Sequence, residues 1–499
     1  MDYKTSKIEI DKLVEITTNE LYFAVIKGLT NRRMRSTVDT LYFSVDDELF
    51  YHNYYSDFGP LSISCLYKYC TKLNKYLIFA NGVKRVVHYT SNNDKKKANA
   101  AYLMGAYAVI YLKFNPDLVA QTLDAIGPFK NFVDASQCPS GYRLRIVDCL
   151  HAIYKALSFN FFNFVDFNMV EYDMRNTLQY GDLNWLVPRK FLAFIGPTEN
   201  EFLNGRPPEF YVKYFLQNDV KTVIRLNNKF YDSNAFKTVG IEHYDLIFPD
   251  GSTPPREILF RFLEISETAP AAIGVHCKAG LGRTGSLIGA YLLKHYHMTA
   301  REAIAWMRIC RPGSVIGYQQ NWLEKIQGMM WSLGAEYRGK LGEPDKIPFH
   351  KYGIYSRKWP LDREKMIRAA RKKIKSKLSH TRSESVSRAS ITTSKSTSIS
   401  EKKTDKSPLK QIMKVIEQHK NTNSESSKRP ISTGNNILKK VVFDDKLEKK
   451  RSRTRKNKSS TQGDKLNDIK VARQSSPDKF NKLGSLHKVA ILFEKTQKR

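Results

Sequence analysis

Short apolar runs organise this chain. Leu21–Ile26 and Asp39–Val45 are apolar, β-branched or aromatic and are bounded by polar residues, which predicts two strands. Lys84–Tyr89 reads as a short buried strand. Lys97–Leu112 is Ala-rich and hydrophobic nearly all round, which predicts a helix at the centre of its domain. Further on, Phe191–Ile195, Thr222–Leu226, Tyr244–Phe248 and Ala272–Val275 predict strands. Thr284–His297 and Ala300–Ile309 predict helices; Pro312 and Gly313 stop the second, and Gln319–Leu333 forms a third. Strands alternating with helices give an α/β fold with a central, mainly parallel sheet flanked by helices.

The pattern contains an internal echo. His88-Tyr89 closes one strand and leads to Gly105-Ala106-Tyr107 on a helix, and His276-Cys277 closes another and leads to Gly289-Ala290-Tyr291. Tyr89 stands where the second copy has Cys277, with Lys95 in place of an arginine six residues on. Duplication with loss of chemistry in the first copy and chance likeness of two α/β units are equal readings of this echo alone. Residues 10–185 are read as a first domain, 186–345 as a second and 346–499 as a tail.

Charge sharpens the second boundary. Of 82 Lys+Arg and 49 Asp+Glu, 41 and 14 fall in residues 351–499, a net +27 within the total of +33. Residues 1–350 are near-neutral. Ser, Lys, Thr and Asn dominate the tail, whose sparse apolar surface predicts disorder. Ile412–Ile416, Val441–Phe443 and Val489–Phe493 are short apolar patches there, read as background rather than docking motifs. No apolar run reaches the ~18 residues of a membrane span, and Met1–Asp11 is charged and mixed, unlike a signal peptide. The six cysteines show no paired metal-ligand spacing; a reducing intracellular compartment and no cofactor are expected.

One string carries chemistry: Val275-His276-Cys277-Lys278-Ala279-Gly280-Leu281-Gly282-Arg283-Thr284-Gly285-Ser286. Of the six cysteines, only Cys277 has arginine six residues later. The backbone N–H groups of Lys278, Ala279, Gly280, Leu281, Gly282 and Arg283 can turn inward as an anion nest. The glycines permit the required backbone, and the following helix aims its positive end at the same point. Arg283 offers two parallel donors to a phosphate. The same field lowers the Cys277 thiol below its free pKa of ~8.5 and makes it a nucleophile that would form a phosphocysteine. Thr284 stands ready to donate to the sulfur as it leaves.

Breaking the P–O bond calls for a proton donor on the far side of the phosphate. Asp250, in the turn-rich segment Phe248-Pro249-Asp250-Gly251-Ser252-Thr253-Pro254-Pro255, is the candidate. On loop composition alone, an ordinary turn aspartate is the commoner reading.

Several motifs together identify a family. Tyr42–Leu49, Asp57–Leu61, Ala98–Leu112, Gly181–Trp185, Asp250–Pro254, His276–Gly285 and Arg308–Gly317 make residues 35–335 resemble the dual-specificity protein phosphatases of the cell-division-cycle-fourteen type, which act in mitotic exit and cytokinesis. The resemblance implies two tandem phosphatase-like domains, only the second catalytic, followed by a basic tail. It implies Cys277 as nucleophile, Asp250 as general acid and Arg283 as phosphate binder, with Gln319 and Gln320 near the hydrolytic water. It implies substrates carrying phosphoserine before proline and a basic residue soon after, alongside phosphothreonine and phosphotyrosine, and reversal of cyclin-dependent kinase phosphorylation. The acidic groove for that basic residue maps to Asp173 and Asp182, but Asn176 stands where another acid is expected and Arg175 adds a positive charge. Ser407 and Ser476 sit in Ser-Pro-x-Lys contexts and read as regulatory phosphosites. The run 449–456 reads equally as a nuclear import signal, a polyanion-binding patch or a solubilising stretch. The expected location is nucleus and cytoplasm, with nucleolus, spindle or centrosome as sites within them.

Two rival functions stand beside this one. The loop also resembles tensin-like phosphoinositide phosphatases, but Leu281 replaces a second lysine that an inositol polyphosphate would want. A scaffold binding microtubules or other polyanions through the basic tail is the other; the full set Cys277, Arg283 and Asp250 argues for catalysis.

Overall fold

The computed structural model describes residues 9–27, 33–138, 140–199, 205–372 and 460–474. The first domain holds strands β1 (Glu9–Thr17), β2 (Leu21–Lys27), β3 (Thr40–Phe43) and β4 (Arg85–Ser91) in the order β1-β2-β4-β3. β4 runs parallel to β2 and β3, and β1 adds an antiparallel edge. Its helices are α1 (Ile63–Ala80), α2 (Asp94–Tyr107), α3 (Pro116–Asp124), α4 (Ile146–Ser158) and α5 (Met169–Arg175). α2 is the central helix that the pattern predicts: every residue from Lys97 to Tyr107 is buried, and a π-helical turn, Ala108–Leu112, completes it.

The second domain contains β5 (Leu183–Val187), β6 (Phe191–Phe194), β7 (Val220–Arg225), β8 (Glu242–Asp245) and β9 (Ala272–His276), ordered β5-β6-β9-β7-β8. All neighbours are parallel except β5 and β6. Helices α6 (Pro208–Gln217), α7 (Asn234–Lys237), α8 (Arg256–Thr268), α9 (Gly282–Tyr296), α10 (Ala300–Cys310) and α11 (Tyr318–Lys340) accompany it. β9 lies in the middle with all five residues buried, as its unbroken apolar run requires. Because ligands of open parallel sheets sit beyond the carboxyl ends of the strands, the loop after β9 is placed at the expected mouth. The hydrophobic core runs continuously through both domains. At their junction Trp306 of α10 is fully buried, packs on Phe161 and Phe162, and donates from Nε1 to the Leu186 carbonyl at 2.8 Å.

Four boundaries differ from the sequence reading. The second sheet starts at Leu183, so a limit at 185/186 cuts through β5; Leu183-Asn184-Trp185 carries no break to mark it. β8 ends at Asp245, and Leu246–Phe248 leave the sheet toward Asp250. α11 continues past Leu333 to Lys340. The segment 346–499 is not structureless throughout. Residues 346–363 return to the body of the molecule: the Ile354 N–H donates to Phe161 O at 2.7 Å, and Arg363 pairs with Asp219 at 2.7 Å. A further helix, α12 (Gln462–Gln474), belongs to the same compact unit. Residues 364–459 separate as a unit of their own, of which 364–372 are described and helical. Ser407, Ser476, the run 449–456 and the three apolar patches lie outside the described residues.

The two copies of the echo are alike in structure. His88 Nδ1 lies 3.0 Å from the Tyr69 hydroxyl, and His276 Nε2 lies 2.8 Å from the Tyr231 hydroxyl. In the first domain the carboxylate of Asp46 accepts from Thr90 Oγ1 and from the Ser91 N–H, both at 2.9 Å, so the end of β4 is engaged by the chain's own anion.

Candidate active site

The phosphate loop is shaped by where its carbonyls go. The Cys277 carbonyl lies 3.0 Å from His276 Nδ1, and that of Lys278 accepts from the Gly196 N–H at 3.1 Å. Ala279 O and Gly280 O accept from Arg311 Nη2 and Nε at 3.0 and 2.7 Å. With these carbonyls drawn outward onto the scaffold, the alternate side of the backbone faces the loop centre. Among the described residues, none of the N–H groups of residues 278–281 donates to another backbone carbonyl. A backbone with its carbonyls turned away and its N–H groups without backbone acceptors has the makings of an anion nest. Gly280 is required for it: its φ is +68°, and a Cβ there would meet the Phe194 carbonyl oxygen at 2.1 Å.

Cys277 sits at the base, 3% exposed. Burial by itself would raise its pKa; the Arg283 guanidinium and the Thr284 hydroxyl and N–H outweigh it, so the thiol is held below its ordinary value. Cys65, Cys70, Cys149 and Cys310 are all pushed up by burial. Thr284 Oγ1 is buried and makes no hydrogen bond to an oxygen or nitrogen, which leaves it free for the sulfur.

Arg283 comes from the first turn of α9 and is 4% exposed. Its Nη1 donates to Leu226 O and Phe248 O at 3.2 and 3.0 Å, which fixes the plane of the guanidinium. Its Nη2 lies 3.0 Å from Asp250 Oδ1, and its buried Nε has no protein acceptor. Asp250 thus faces the same pocket from the loop after β8.

Gln319 ties the walls together. Its Oε1 accepts from the Ile316 N–H at 3.0 Å, its Nε2 donates to Ser252 O at 3.0 Å, and it packs against Gly282. Gln320 is turned away: Arg308 Nη2 donates to its Oε1 at 2.6 Å, and its Nε2 faces Gly317 O and Ser140. Of the two glutamines expected near the water, only Gln319 borders the phosphate loop.

The two acids expected to form a groove also part company. Asp173 is on α5 and pairs with Lys68 at 2.8 Å. Asp182 is buried beside the phosphate loop, where Arg311 Nη1 and Nη2 reach its two oxygens at 3.0 and 3.1 Å. Burial would raise its pKa, but Arg311 and Lys470 keep its carboxyl below the usual range. Arg311 is a site residue that the sequence reading quoted only within a family motif; its 129-residue separation from Asp182 concealed the pairing.

A second layer lies behind the nucleophile. The Tyr231 hydroxyl sits 2.8 Å from both His276 Nε2 and His243 Nε2. Burial drives His276 down to about 3 and His243 to about 4, so both are neutral near pH 7. The Cys277 carbonyl can only accept, so neutral His276 carries its proton on Nδ1 and its Nε2 accepts a hydrogen bond from the Tyr231 hydroxyl.

α12 completes the rim. Its Gly463 N–H donates to Asp250 Oδ2 at 2.8 Å, Asp464 pairs with Lys278, and Lys470 Nζ reaches Asp182 Oδ2 at 2.5 Å and Ala279 O at 2.8 Å.

Comparison with known proteins finds family matches in both domains. Residues 15–156 match the family described as dual specificity protein phosphatase, N-terminal half, and residues 216–327 the dual specificity phosphatase catalytic domain. The mouse dual specificity protein phosphatase CDC14A is 48% identical over 334 residues, covering 66% of this chain and 55% of the relative. Mouse CDC14B is 45% identical over 350 residues, covering 68% and 71%. The tyrosine-protein phosphatase cdc-14 of Caenorhabditis elegans is 39% identical over 336 residues, covering 64% and 47%. The matched part spans little more than half the length of the mouse and human CDC14A proteins.

Proposed function

The chain belongs to the CDC14 family of dual specificity protein phosphatases, and from that premise we propose that it hydrolyses phosphoserine, phosphothreonine and phosphotyrosine in proteins through a phosphocysteine. The observation that carries this reading is a buried cysteine thiol held below its ordinary pKa chiefly by Arg283, whose guanidinium also meets Asp250 at 3.0 Å.

In the first step the Cys277 thiolate attacks phosphorus as the bond to the substrate oxygen breaks. Asp250 gives its proton to that oxygen, so a neutral alcohol leaves. The nest amides and Arg283 hold the three peripheral phosphate oxygens, where charge is spread in the transition state. In the second step water attacks phosphorus and the S–P bond breaks. Asp250 takes a proton from the water, and Thr284 stabilises the departing thiolate. Gln319, which borders Gly282, is our candidate for orienting that water.

The preferred substrate is phosphoserine-proline with a basic residue downstream. Support for the basic residue comes from Asp182, a buried carboxylate beside the loop that already attracts a lysine, Lys470. Asp173, neutralised by Lys68, adds little to that preference. Such sites are those of proline-directed kinases, so the role we propose is reversal of cyclin-dependent phosphorylation during mitotic exit and cytokinesis, in nucleus and cytoplasm.

The test is a panel of peptides carrying phosphoserine, phosphothreonine or phosphotyrosine, with and without a following proline and a lysine beyond it, combined with acid quenching during turnover. Label on Cys277 and fastest turnover of the serine-proline-lysine peptide are expected. Label on any other side chain overturns the mechanism.

A further inference from the structure

Asp134 belongs to the first domain and is anchored there by its neighbours. Phe132 exchanges backbone hydrogen bonds with Leu144 at 2.8 and 3.0 Å and packs against Phe58 and Tyr102. Two residues on, Asp134 is 3% exposed and reaches across to the second domain, where its Oδ2 accepts from the Gly317 N–H at 2.7 Å. Its Oδ1 is buried and has no hydrogen-bond partner among the described residues, so the Gly317 N–H is what this carboxylate holds.

Gly317 closes the turn 314–317 between α10 and α11. Val315 and Gly317 both have positive φ, +60° and +59°. A β-branched residue adopts that backbone only where its surroundings impose it. Here two buried charges do so. Arg308 of α10 donates from Nε to Ser314 O at 3.0 Å and from Nη2 to Val315 O at 2.9 Å, while Asp134 takes the last N–H of the turn. Burial lowers the pKa of the Arg308 guanidinium, and Asp134 is first among the groups that oppose this.

The turn governs what meets the phosphate loop. Gly317 is the N-cap of α11, so its orientation sets the helical turn on which Gln319 stands. The Ile316 N–H donates to Gln319 Oε1 at 3.0 Å, and Gln319 Nε2 donates to Ser252 O at 3.0 Å. The loop carbonyls of Ala279 and Gly280 are held separately, by Arg311. Freeing Gly317 therefore moves Gln319 and leaves the cradle of the thiolate supported.

We propose that Asp134 is a positioning residue for hydrolysis of the phosphocysteine: the first domain, which has no nucleophile of its own, fixes Gly317 and through it the side-chain amide of Gln319. This rests on the phosphatase reading above and on Gln319 as the candidate for orienting water. Formation of the phosphocysteine uses Cys277, Arg283 and Asp250, none of which is hydrogen-bonded to Asp134. Loss of Asp134 should therefore fall on the second step.

The experiment compares the full chain with Asp134→Ala and Asp134→Asn, each also in a Gln319→Ala background. The substrate is an aryl phosphate with labelled phosphorus, whose leaving group needs little help from Asp250. Three quantities are read: kcat, kcat/KM and, by acid quenching, the fraction of Cys277 carrying label during turnover. Asp134→Ala should lower kcat by about tenfold, keep kcat/KM within about twofold and raise the labelled fraction. Asp134→Asn keeps an oxygen for the Gly317 N–H and should hold kcat within about threefold of the unaltered chain. With Gln319 already removed, Asp134→Ala should cost less than about twofold more.

An unchanged kcat, or an equal fall in kcat and kcat/KM with no build-up of label, overturns the inference and leaves the phosphatase reading standing. So does a full additional loss in the Gln319→Ala background. If circular dichroism shows that Asp134→Ala does not fold, Gly317→Ala perturbs the same turn from the second domain; the same split is expected, and an equal fall overturns the inference. A full chain that turns over no phosphate ester and takes up no label overturns the phosphatase reading and this inference with it.

Discussion

Arg283 Nη2 and Asp250 Oδ1 stand 3.0 Å apart across the mouth of the thiolate pocket. The pairing makes the acid and the phosphate-holding cation mutually dependent. A phosphate dianion that draws Arg283 to itself releases Asp250 from its partner. Asp250→Ala should slow a phosphoserine peptide by about a hundredfold, and slow an aryl phosphate far less because that leaving group departs as a stable anion. Steady-state rates on the two substrates check this; equal slowing would remove Asp250 from the role.

After Arg283, the hydroxyl and the N–H of Thr284 lower the pKa of the Cys277 thiol. A lowered pKa keeps the thiolate populated at lower pH. Thr284→Ala removes one hydrogen bond to a charged group, so the midpoint of iodoacetate alkylation against pH should move up by about one unit. The acid limb of kcat/KM should move with it.

Gly280 holds a φ of +68° with the Phe194 carbonyl oxygen 2.1 Å from where a Cβ would stand. Gly280→Ala should displace the phosphate loop by a fraction of an ångström to an ångström and cost about a hundredfold in kcat/KM. Circular dichroism should show the sheet and helices retained, because the strain is confined to one loop.

Asp182 and Arg311 form a buried ion pair, with side chains 7% and 2% exposed. Asp182→Ala leaves the guanidinium without its charge partner and should cost about 3–5 kcal/mol, read as a lower urea midpoint. Asp182→Asn keeps an acceptor and should cost less.

The part of the fold that could be read from sequence is the part written locally. β9, the loop and α9 announce themselves because an apolar strand, glycines and a helix follow one another within 25 residues. β5 was missed because nothing breaks the chain at its start except Gly181 and Asp182, whose φ values of +103° and +42° make the turn. α12 was missed for a different reason. It holds few apolar residues, and its buried polar ones, Asn467 and Lys470, are indistinguishable in composition from a solvated charge run. Its capping box Thr461–Asp464 and the spacing of Leu466 were the available signal. Likewise Gln319 and Gln320 are neighbours in sequence, and only the turn of the helix decides that one meets the phosphate loop and the other meets Arg308.

Arg311 has a consequence of its own. A single guanidinium grips the Asp182 carboxylate on one side and the carbonyls of Ala279 and Gly280 on the other. It is a keystone: Asp182, which we propose reads the sequence downstream of the phosphate, is bonded through it to the loop that follows Cys277. An enzyme built this way cannot loosen its discrimination without also slackening its grip, so mutations that broaden its diet should be paid for in speed.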